Sequence, residues 1–525
     1  MAGINEDRER QVIPLWRDAS VTAIRGELAS VGPVDSTRFN DAMVATLRKE
    51  WEESQILHIA CDLVSVAMTL GRFDVAQKAA EEILANPAST SSARGVADLY
   101  LRKGLPNPRK GKGGIEGDQS VSDNATLREQ IYLGIGAARR RLIAYPRNPV
   151  VWSNLALLYT SLGLHAKAER AIISALTLAP ENRFVLRSAS RFYLHTNRKD
   201  TAHRLLSSAG SLRLDPWVLS AEIATAAAVG RTSRNIKVAR KMLEAKHFSP
   251  FHLSELASAL GTLESHHGNL KTAKPLVVFS LKEPAENSIA QAAWLHRTYQ
   301  VVGSETPLTS SSEANAWYSW QTTNWKPALS YAKQWLLEQP FSSRPAMLGA
   351  HVASVLMQDN AEGAAIASQG LLSNPDDFSL QNLLAFSFAR QGNAVEAAKV
   401  FRRVDESQLT QQQRIVWMAT WGLIAFRDNN PDVGRRLYMD AINLGKRLQD
   451  VREPLARVYY AFEEIRIGAE NAEAIRSEAL AGASVLTEPS LRFVVERLKT
   501  AKPSEHKSPI QNILFDIGPP RLKLN

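Results

Sequence analysis

Cysteine is almost absent from this chain, whose 525 residues include a single one, Cys61. A disulfide within the chain needs two thiols and a cysteine-based metal cluster needs more, so the sequence excludes both. Cys61 lies in the apolar stretch ILHIACDLVSV. These surroundings favour a small buried side chain over a reactive nucleophile.

Long apolar runs are missing as well. The most apolar stretch, IATAAAV at 223–229, is far shorter than the roughly 20 residues that a membrane-spanning helix needs. The N-terminal stretch MAGINEDRERQVIPLW is charged from Glu6 to Arg10 and has no apolar signal core. We therefore expect a cytoplasmic protein without a membrane segment.

Charge of one sign is in only mild excess. Lys and Arg number 63 against 53 Asp and Glu, a formal net charge of +10, while hydrophobic residues make up 45% of the chain. The excess would favour acidic partners, RNA or an anionic surface, but it also fits an ordinary soluble protein. The chain is too long for one hydrophobic core, so we expect several domains or a repeat array.

Catalytic groupings are also missing. The stretch GKGG at 111–114 lacks the Ser or Thr of a phosphate-binding loop, and YLGIGAARRR at 132–141 lacks the third glycine of a dinucleotide fingerprint. The adjacent histidines of ESHHG at 264–268 point to different sides of a helix and make a poor metal site. The sequence therefore predicts no catalytic residue, cofactor or metal, and a protein that is not an enzyme.

A periodic pattern is present instead, most clearly in NPVVWSNLALLYTSLGLHAKAERAIISALTLAP at 148–180. Trp152 and Tyr159 are seven residues apart and share one helix face, and Ala168 and Ile172 begin a second apolar stripe after the turn SLG. The pattern predicts two amphipathic helices that cross closely. We expect Trp152, Tyr159 and Ala168 to be buried between helices.

Prolines show that this unit recurs. Each of the following ends a segment that is able to form a helix: Pro146, Pro180, Pro216, Pro250 and Pro284. They are separated by 34, 36, 34 and 34 residues, and Pro340 and Pro375 are 35 apart. A fixed period of about 34 residues predicts a helix-turn-helix solenoid.

Residues 149–182 resemble a tetratricopeptide repeat. Counted from Pro149, the positions at which that family favours particular large, small and aromatic residues hold Trp152, Leu155, Ala156, Tyr159, Ala168, Ile172, Ala175 and Pro180. Residues 378–411 match nearly as well, and 183–216 and 344–377 match in part. The resemblance implies an all-α fold, a tetratricopeptide-like superhelical solenoid with atypical terminal helices.

Interruptions of the period divide the chain. We predict an N-terminal helical region with a degenerate repeat at 1–101, a flexible basic linker at 102–124, a first array at 125–300, a polar loop at 301–312, a second array at 313–411, capping helices at 412–499 and a tail at 500–525. The linker is rich in Gly, Pro and Lys and has no apolar periodicity. Terminal units of a solenoid must cover an otherwise exposed apolar face, so atypical ends are expected.

The resemblance also implies a binding surface, because in this family positions 2, 5, 6, 9, 12 and 13 of each first helix line a concave groove. From these positions we predict the partner-binding residues Asn154, Phe184, Arg187, Arg191 and His195. Arg187 and Arg191 are four residues apart and share a helix face, and their forked guanidinium groups suit carboxylates. We expect a solvent-facing groove suited to an extended acidic peptide; a solvated helix face is an equally good interpretation.

The function predicted from the sequence is that of an interaction scaffold, an adaptor or a regulatory subunit that binds a partner protein through its groove. The alternative is a nucleic-acid-associated protein, for example within a nuclease complex. It rests on a basic cluster formed by Arg102, Lys103, Arg109, Lys110, Lys112 and Arg139, Arg140 and Arg141. Aromatic residues for base stacking are absent around Lys110, so nucleic acid would bind through phosphate charge, without sequence preference. A solvated linker is the other interpretation of this cluster.

Overall fold

The computed structural model describes residues 10–17, 41–56, 59–60, 63–64, 67, 72–89, 93–94, 97, 101, 127–144, 148–245, 248–301 and 311–503. Within these ranges all regular secondary structure is helical, which confirms the predicted all-α class. No helix in them is long and apolar enough to cross a membrane. The predicted linker 102–124 and most of the loop 301–312 and of the tail 500–525 lie outside the described residues.

The described α-helices are, in chain order, α1 Asp41–Ser54, α2 Phe73–Ala85, α3 Leu127–Ala144, α4 Pro149–Ser161, α5 His165–Leu178, α6 Arg183–His195, α7 Lys199–Ser207, α8 Pro216–Ala228, α9 Ile236–Glu244, α10 Pro250–His266, α11 Leu270–Ser280, α12 Glu286–Tyr299, α13 Ser312–Gln321, α14 Trp325–Glu338, α15 Ser343–His351, α16 Asn360–Ser373, α17 Phe378–Arg390, α18 Ala394–Phe401, α19 Gln411–Arg427, α20 Pro431–Leu448, α21 Arg452–Ile467, α22 Ala472–Gly482 and α23 Pro489–Lys499. A π-helical turn, Val352–Leu356, continues α15. Short 3₁₀ turns lie at Gly210–Arg213, Glu406–Gln408 and Ala483–Val485.

Successive helices pack as hairpins. Pairs such as α4 with α5, α10 with α11 and α19 with α20 are in close contact. Gly163, between α4 and α5, has a φ of 70°, and Gly392, between α17 and α18, has a φ of 83°. Glycine adopts this left-handed conformation readily because it has no Cβ, so the chain reverses within a few residues. The stacked hairpins confirm the tetratricopeptide-like fold.

The first helices of several hairpins begin with the same chemistry. Asn148, Asn182, Asp215 and Ser249 directly precede α4, α6, α8 and α10, and each side chain accepts a hydrogen bond from a backbone N–H of the first turn. Such caps satisfy donors that a helix start leaves without a partner within the helix. The caps set where each helix begins, so a given position, counted from the first helical residue, recurs in the same place in each helix.

Two of the periodic prolines differ from the expectation that they end helices. Pro216 and Pro250 are the first residues of α8 and α10. Proline is favoured there because its ring already holds a helical φ and its missing N–H is not needed for the helix. Pro180 does follow a helix, α5. The 3₁₀ turn Gly210–Arg213 adds residues after α7. This explains why Pro180 and Pro216 are 36 residues apart, whereas the neighbouring prolines are 34 apart.

The contacts divide the chain into two compact units, a first unit built on Arg8–Ala314 and a second built on residues from Asn315 onward. In the second unit the last helix packs back on earlier ones. The ring centroids of Phe493 in α23 and Trp325 in α14 are 5.7 Å apart, and Arg497 Nη1 donates a hydrogen bond to the carbonyl oxygen of Val355 at 2.6 Å. The finer segment boundaries drawn from the sequence remain predictions.

Burial agrees with two of the three packing residues expected in the first array. Ala168 is fully buried, and Tyr159 is buried with its hydroxyl accepting hydrogen bonds from Arg139 Nε at 3.0 Å and Nη2 at 2.8 Å. Trp152 is only half-buried, so the expectation for this side chain was wrong. The apolar stripe predicts the direction in which Trp152 points, but not how completely neighbouring helices cover the side chain.

Ala168→Arg should destabilise the protein by about 3 kcal/mol or more, because it forces a charge into a close helix crossing. The free energy of unfolding from urea titrations followed by circular dichroism measures the effect. Ala166 is exposed on the same helix, so Ala166→Arg is the matched control and should cost less than about 0.5 kcal/mol. Equal stability of the two variants would contradict the packing described for α5.

Candidate functional site

The surface of interest is the first-helix face, which we define as positions 2, 5, 6, 9, 12 and 13 of the first helices α4, α6, α8, α10 and α12, together with Glu313 at position 2 of α13. The shared caps place these positions at equivalent turns of several of these helices. In the first unit this face is partly covered. An extended stretch of the same chain, residues 10–17, lies against it.

The burial of residues 10–17 alternates. Arg10, Val12, Pro14 and Trp16 are buried, with Val12 and Trp16 at 0% exposure, whereas the residues between them are half-buried. A period of two is the mark of an extended chain with one side against a surface. The stretch is therefore held in the way that an extended peptide is held. We call it the N-terminal segment.

Arg10 makes the densest polar contacts of the segment. Its Nε and Nη2 donate hydrogen bonds to the two carboxylate oxygens of Glu313 at 2.8 and 2.9 Å. Nη2 also donates to Asn287 Oδ1 at 3.0 Å, and Nη1 donates to Gln291 Oε1. The side chains of Arg10 and Glu313 are each 5% exposed. A buried charge is tolerated only when it is paired and hydrogen-bonded in this way.

Two carboxamides of α12 also hold the backbone of the segment. Gln291 Nε2 donates to the carbonyl oxygen of Arg10 at 2.9 Å, and Asn287 Nδ2 donates to that of Ile13 at 2.9 Å. Gln291 Nε2 also donates to Thr262 Oγ1 at 2.9 Å, so the amide is oriented from α10. Every residue has a main-chain carbonyl, so these contacts do not depend on side-chain identity. They can therefore fix the register of an extended chain whatever its sequence.

Apolar and charged contacts also hold the segment. Trp16 meets Phe192 of α6 edge to face, with ring centroids 6.2 Å apart. Val12 belongs to the same hydrophobic cluster as Leu219, Ile223 and Leu256 of the first helices.

At the end of the segment, the guanidinium of Arg17 forms an ion pair with Glu286, the first residue of α12. The segment therefore carries a basic residue at each end and large apolar side chains between them.

Arg187, one of the predicted partner-binding residues, is buried, whereas we expected it to face solvent. It is 5% exposed, and its Nη1 and Nη2 donate to the Glu255 carboxylate at 2.8 and 3.1 Å. Nη1 also donates to the carbonyl oxygen of Trp217 at 3.1 Å, and the guanidinium lies 5.0 Å from the Trp217 ring centroid. Helical spacing predicts that Arg187 and Arg191 share a helix face, but it could not reveal an acid 68 residues further along the chain from Arg187.

Arg187 is nevertheless linked to the segment through Glu255. The Oε1 atom of Glu255 accepts hydrogen bonds from Arg187 and, at 3.3 Å, from Asn287 Nδ2. Asn287 in turn holds the segment backbone. Arg187 is therefore a supporting residue behind the contact surface in this conformation, and its role toward a partner remains a prediction.

The other predicted residues lie at different depths. Asn154 and Phe184 are buried, whereas Arg191 and His195 are half-buried. The His195 ring lies 5.4 Å from that of His165, which begins α5. The role of these four residues in partner binding remains a prediction.

The residues that do hold the segment were missed in the sequence, although the same rule reaches them. Asn287 and Gln291 are positions 2 and 6 of α12, Glu255 is position 6 of α10, and Glu313 is position 2 of α13. A strict period of 34 residues from Arg183 would start later units at 217, 251 and 285, whereas α8, α10 and α12 begin at 216, 250 and 286. The helix starts given by the structure were therefore needed to find these four residues.

His252 of α10 supports the same layer. Its Nδ1 accepts a hydrogen bond from Trp217 Nε1 at 3.0 Å. Burial, together with the nearby charge of Arg183, lowers the pKa of His252 from 6.5 to about 3. The imidazole is therefore neutral near pH 7, as an acceptor nitrogen requires. Among the described residues no group of three or more His, Cys, Asp and Glu side chains could hold a metal ion.

The basic cluster predicted as a nucleic-acid surface is described only in part. Its members from 102 to 112 lie outside the described residues. Of the remaining three, Arg139 donates to the Tyr159 hydroxyl, and Arg140 is exposed at the end of α3. The structure therefore does not test this surface.

Comparison with known proteins yields no matching protein-family profile and no matching curated protein. Solved structures with a similar fold include the crystal structure of the APC/C hetero-tetramer Cut9-Hcn1, with 11% identity, 87% of this chain and 92% of that chain covered, and a TM-score of 0.34. Yeast Tom70 shares 13% identity, with 89% and 93% covered and a TM-score of 0.29. The human IFIT1 dimer with PPP-AAAA shares 13% identity, with 89% and 99% covered and a TM-score of 0.30. Likeness at this level concerns the helical fold alone.

The ion pair behind the segment leads to a stability prediction. Arg187→Met should cost about 3–5 kcal/mol, because it removes the forked guanidinium contacts from a buried carboxylate, whereas the double variant Arg187→Met, Glu255→Met should recover most of that loss. Urea titrations of both single variants and the double variant give the coupling. Arg204→Met, at an exposed position on α7, is the control. A double variant less stable than either single one would contradict the buried pair.

The depressed pKa of His252 predicts acid sensitivity. Below pH 6.5 the unfolded chain binds a proton that the folded histidine refuses until about pH 3. This contribution to stability is therefore present above pH 6.5 and falls by up to about 1.4 kcal/mol per pH unit on acidification. In urea titrations between pH 7 and 4.5, His252→Asn should show a shallower loss of stability. The exposed His267 supplies the control variant His267→Asn, whose slope should match the parent; a parental slope in His252→Asn would contradict the assignment.

Proposed function

We propose that this protein is a non-enzymatic interaction scaffold that holds an extended segment of a partner protein on the first-helix face of its first unit. One observation carries the proposal, namely the N-terminal segment bound on that face. The face contacts main-chain carbonyls through Asn287 and Gln291 and receives alternate side chains between them. This combination is how proteins recognise extended peptides, with backbone contacts for register and pockets for specificity.

The charges around the segment support a basic partner, in contrast to the acidic peptide expected from the sequence. Three carboxylates, those of Glu255, Glu286 and Glu313, lie on or behind the contact surface. The arginine that suggested an acidic ligand, Arg187, is already paired with one of them. An acidic segment would place further negative charge beside Glu286 and Glu313, which disfavours it.

An adaptor or regulatory subunit is the role that fits such a face, since the partner would be held rather than transformed. The cytoplasmic location remains part of the proposal, because nothing in the fold tests it. The nucleic-acid alternative rests on residues outside the described part of the chain, so no observation favours it over protein binding.

Site-specific photo-crosslinking tests the proposal in cells of the source organism. A benzophenone amino acid in place of Arg191, half-buried on the first-helix face of α6, should yield adducts with a partner protein. The same group in place of Ile173, which is 50% exposed on the second helix α5, is the matched control and should yield only background. Adducts from position 173 alone would place the binding surface elsewhere, and adducts with RNA or DNA at position 191 would favour the alternative class.

A further inference from the structure

The N-terminal segment differs from the rest of the first unit in how it is held. The hydrogen bonds and the ion pair described above join it to residues 269 to 303 positions further along the chain. Residues 10–17 themselves contain no helix. The contacts described above are of the kind that hold a bound extended peptide.

From this we propose that residues 10–17 are an exchangeable internal occupant of the first-helix face, and that they are displaced by a partner segment of the same chemistry. That chemistry is an extended stretch with an arginine at its first position, apolar side chains at the third, fifth and seventh, and a basic residue at the eighth. The inference rests on the proposed function and names its partner class and its regulation.

The first part of the pattern follows from Arg10. Its guanidinium meets both carboxylate oxygens of Glu313 and the side-chain oxygens of Asn287 and Gln291. A planar fork with five donors fits this set of acceptors, whereas a lysine ammonium has only three donors and no fork. The site therefore selects arginine at the first position.

The apolar positions follow from the alternation of burial. Val12, Pro14 and Trp16 are buried, and Gln11 and Leu15 on the other side are half-buried. Burying an apolar side chain stabilises a complex roughly in proportion to the area removed from water. A competing segment must therefore supply apolar groups on the same alternate positions, and it is free to vary on the other side.

Because residues 10–17 occupy the first-helix face, a partner segment must compete with them for it. A segment of the same chain competes at a high effective concentration, so an untethered segment of the same chemistry binds the intact chain about a hundredfold or more less tightly than it binds an emptied face. The segment would thus set a threshold that a partner must exceed.

The test uses a fluorescent peptide of residues 8–18, RERQVIPLWRD, in anisotropy titrations. A variant lacking residues 1–17 should bind it at least about a hundredfold more tightly than the parent does. Two doubly changed peptides form a matched pair. Gln11→Ser with Leu15→Ser alters the half-buried side and should keep most of the affinity, whereas Val12→Ser with Trp16→Ser alters the buried side and should lose it. Equal loss from both peptides, or no binding to a folded deletion variant, overturns the proposal.

A second variant guards against misfolding of the deletion variant, because Val12 and Trp16 are buried in the first unit. Arg10→Ala with Trp16→Ala in the full chain should weaken the internal occupant and raise the affinity for the parent peptide in trans. Circular dichroism reports whether each variant is folded. If both variants unfold, the segment is a permanent part of the core and the proposal is wrong. It is equally wrong if this variant is folded and binds the peptide no better than the parent.

Crosslinking separates this inference from the proposed function. Partner adducts at position 191 should increase in the Arg10→Ala, Trp16→Ala variant. Adducts that stay constant while the peptide fails to bind would leave the scaffold function standing and remove the internal occupant. Absence of adducts in every variant would remove the scaffold function, while peptide binding in trans would still support the exchange. Light scattering that shows dimers of the parent would assign the occupant to a second copy and overturn an internal one.

Discussion

The arrangement of the first-helix face depends on one requirement, that the charge of Arg10 be fully paired once it is buried. An arginine shielded from water needs acceptors for several N–H groups at once. Glu313, Asn287 and Gln291 supply them from two different helices, α12 and α13. The two carboxamides then use their remaining donors on the segment backbone. Side-chain recognition and backbone recognition therefore share the same residues, so the position of Arg10 determines the register of the segment.

A second buried charge supports the first from behind. Glu255 accepts hydrogen bonds from Arg187 and from Asn287, and thus helps to set the orientation of the amide that holds Ile13. Such a chain of charged and amide groups is stable only while every member is paired. For this reason a residue that makes no direct contact with the segment can still influence how the segment is held.

Both units use part of their own chain beyond the regular hairpins. In the first unit the N-terminal segment lies on the first-helix face, and in the second the helix α23 packs back on α14 and the π-helical turn after α15. A stack of hairpins leaves surface that no further repeat covers, and additional elements remove that surface from water. In the first unit the covering element is an extended peptide rather than a helix, and this observation underlies the proposed binding of a partner segment.

The sequence by itself determined the helices, their pairing and which side chains share a helix face. The apolar stripes through Tyr159 and Ala168 extend over a few helical turns, and the period of about 34 residues repeats one hairpin, so spacing along the chain is enough to predict both. Only the tertiary structure decided which charges meet. Arg187 and Glu255 are 68 residues apart, and Arg10 and Glu313 are 303 apart. Helical spacing predicts the direction of a side chain but not which side chain it will contact. The partner of each charge depends on how the hairpins stack and on where residues 10–17 lie, and both are settled by packing over the whole unit.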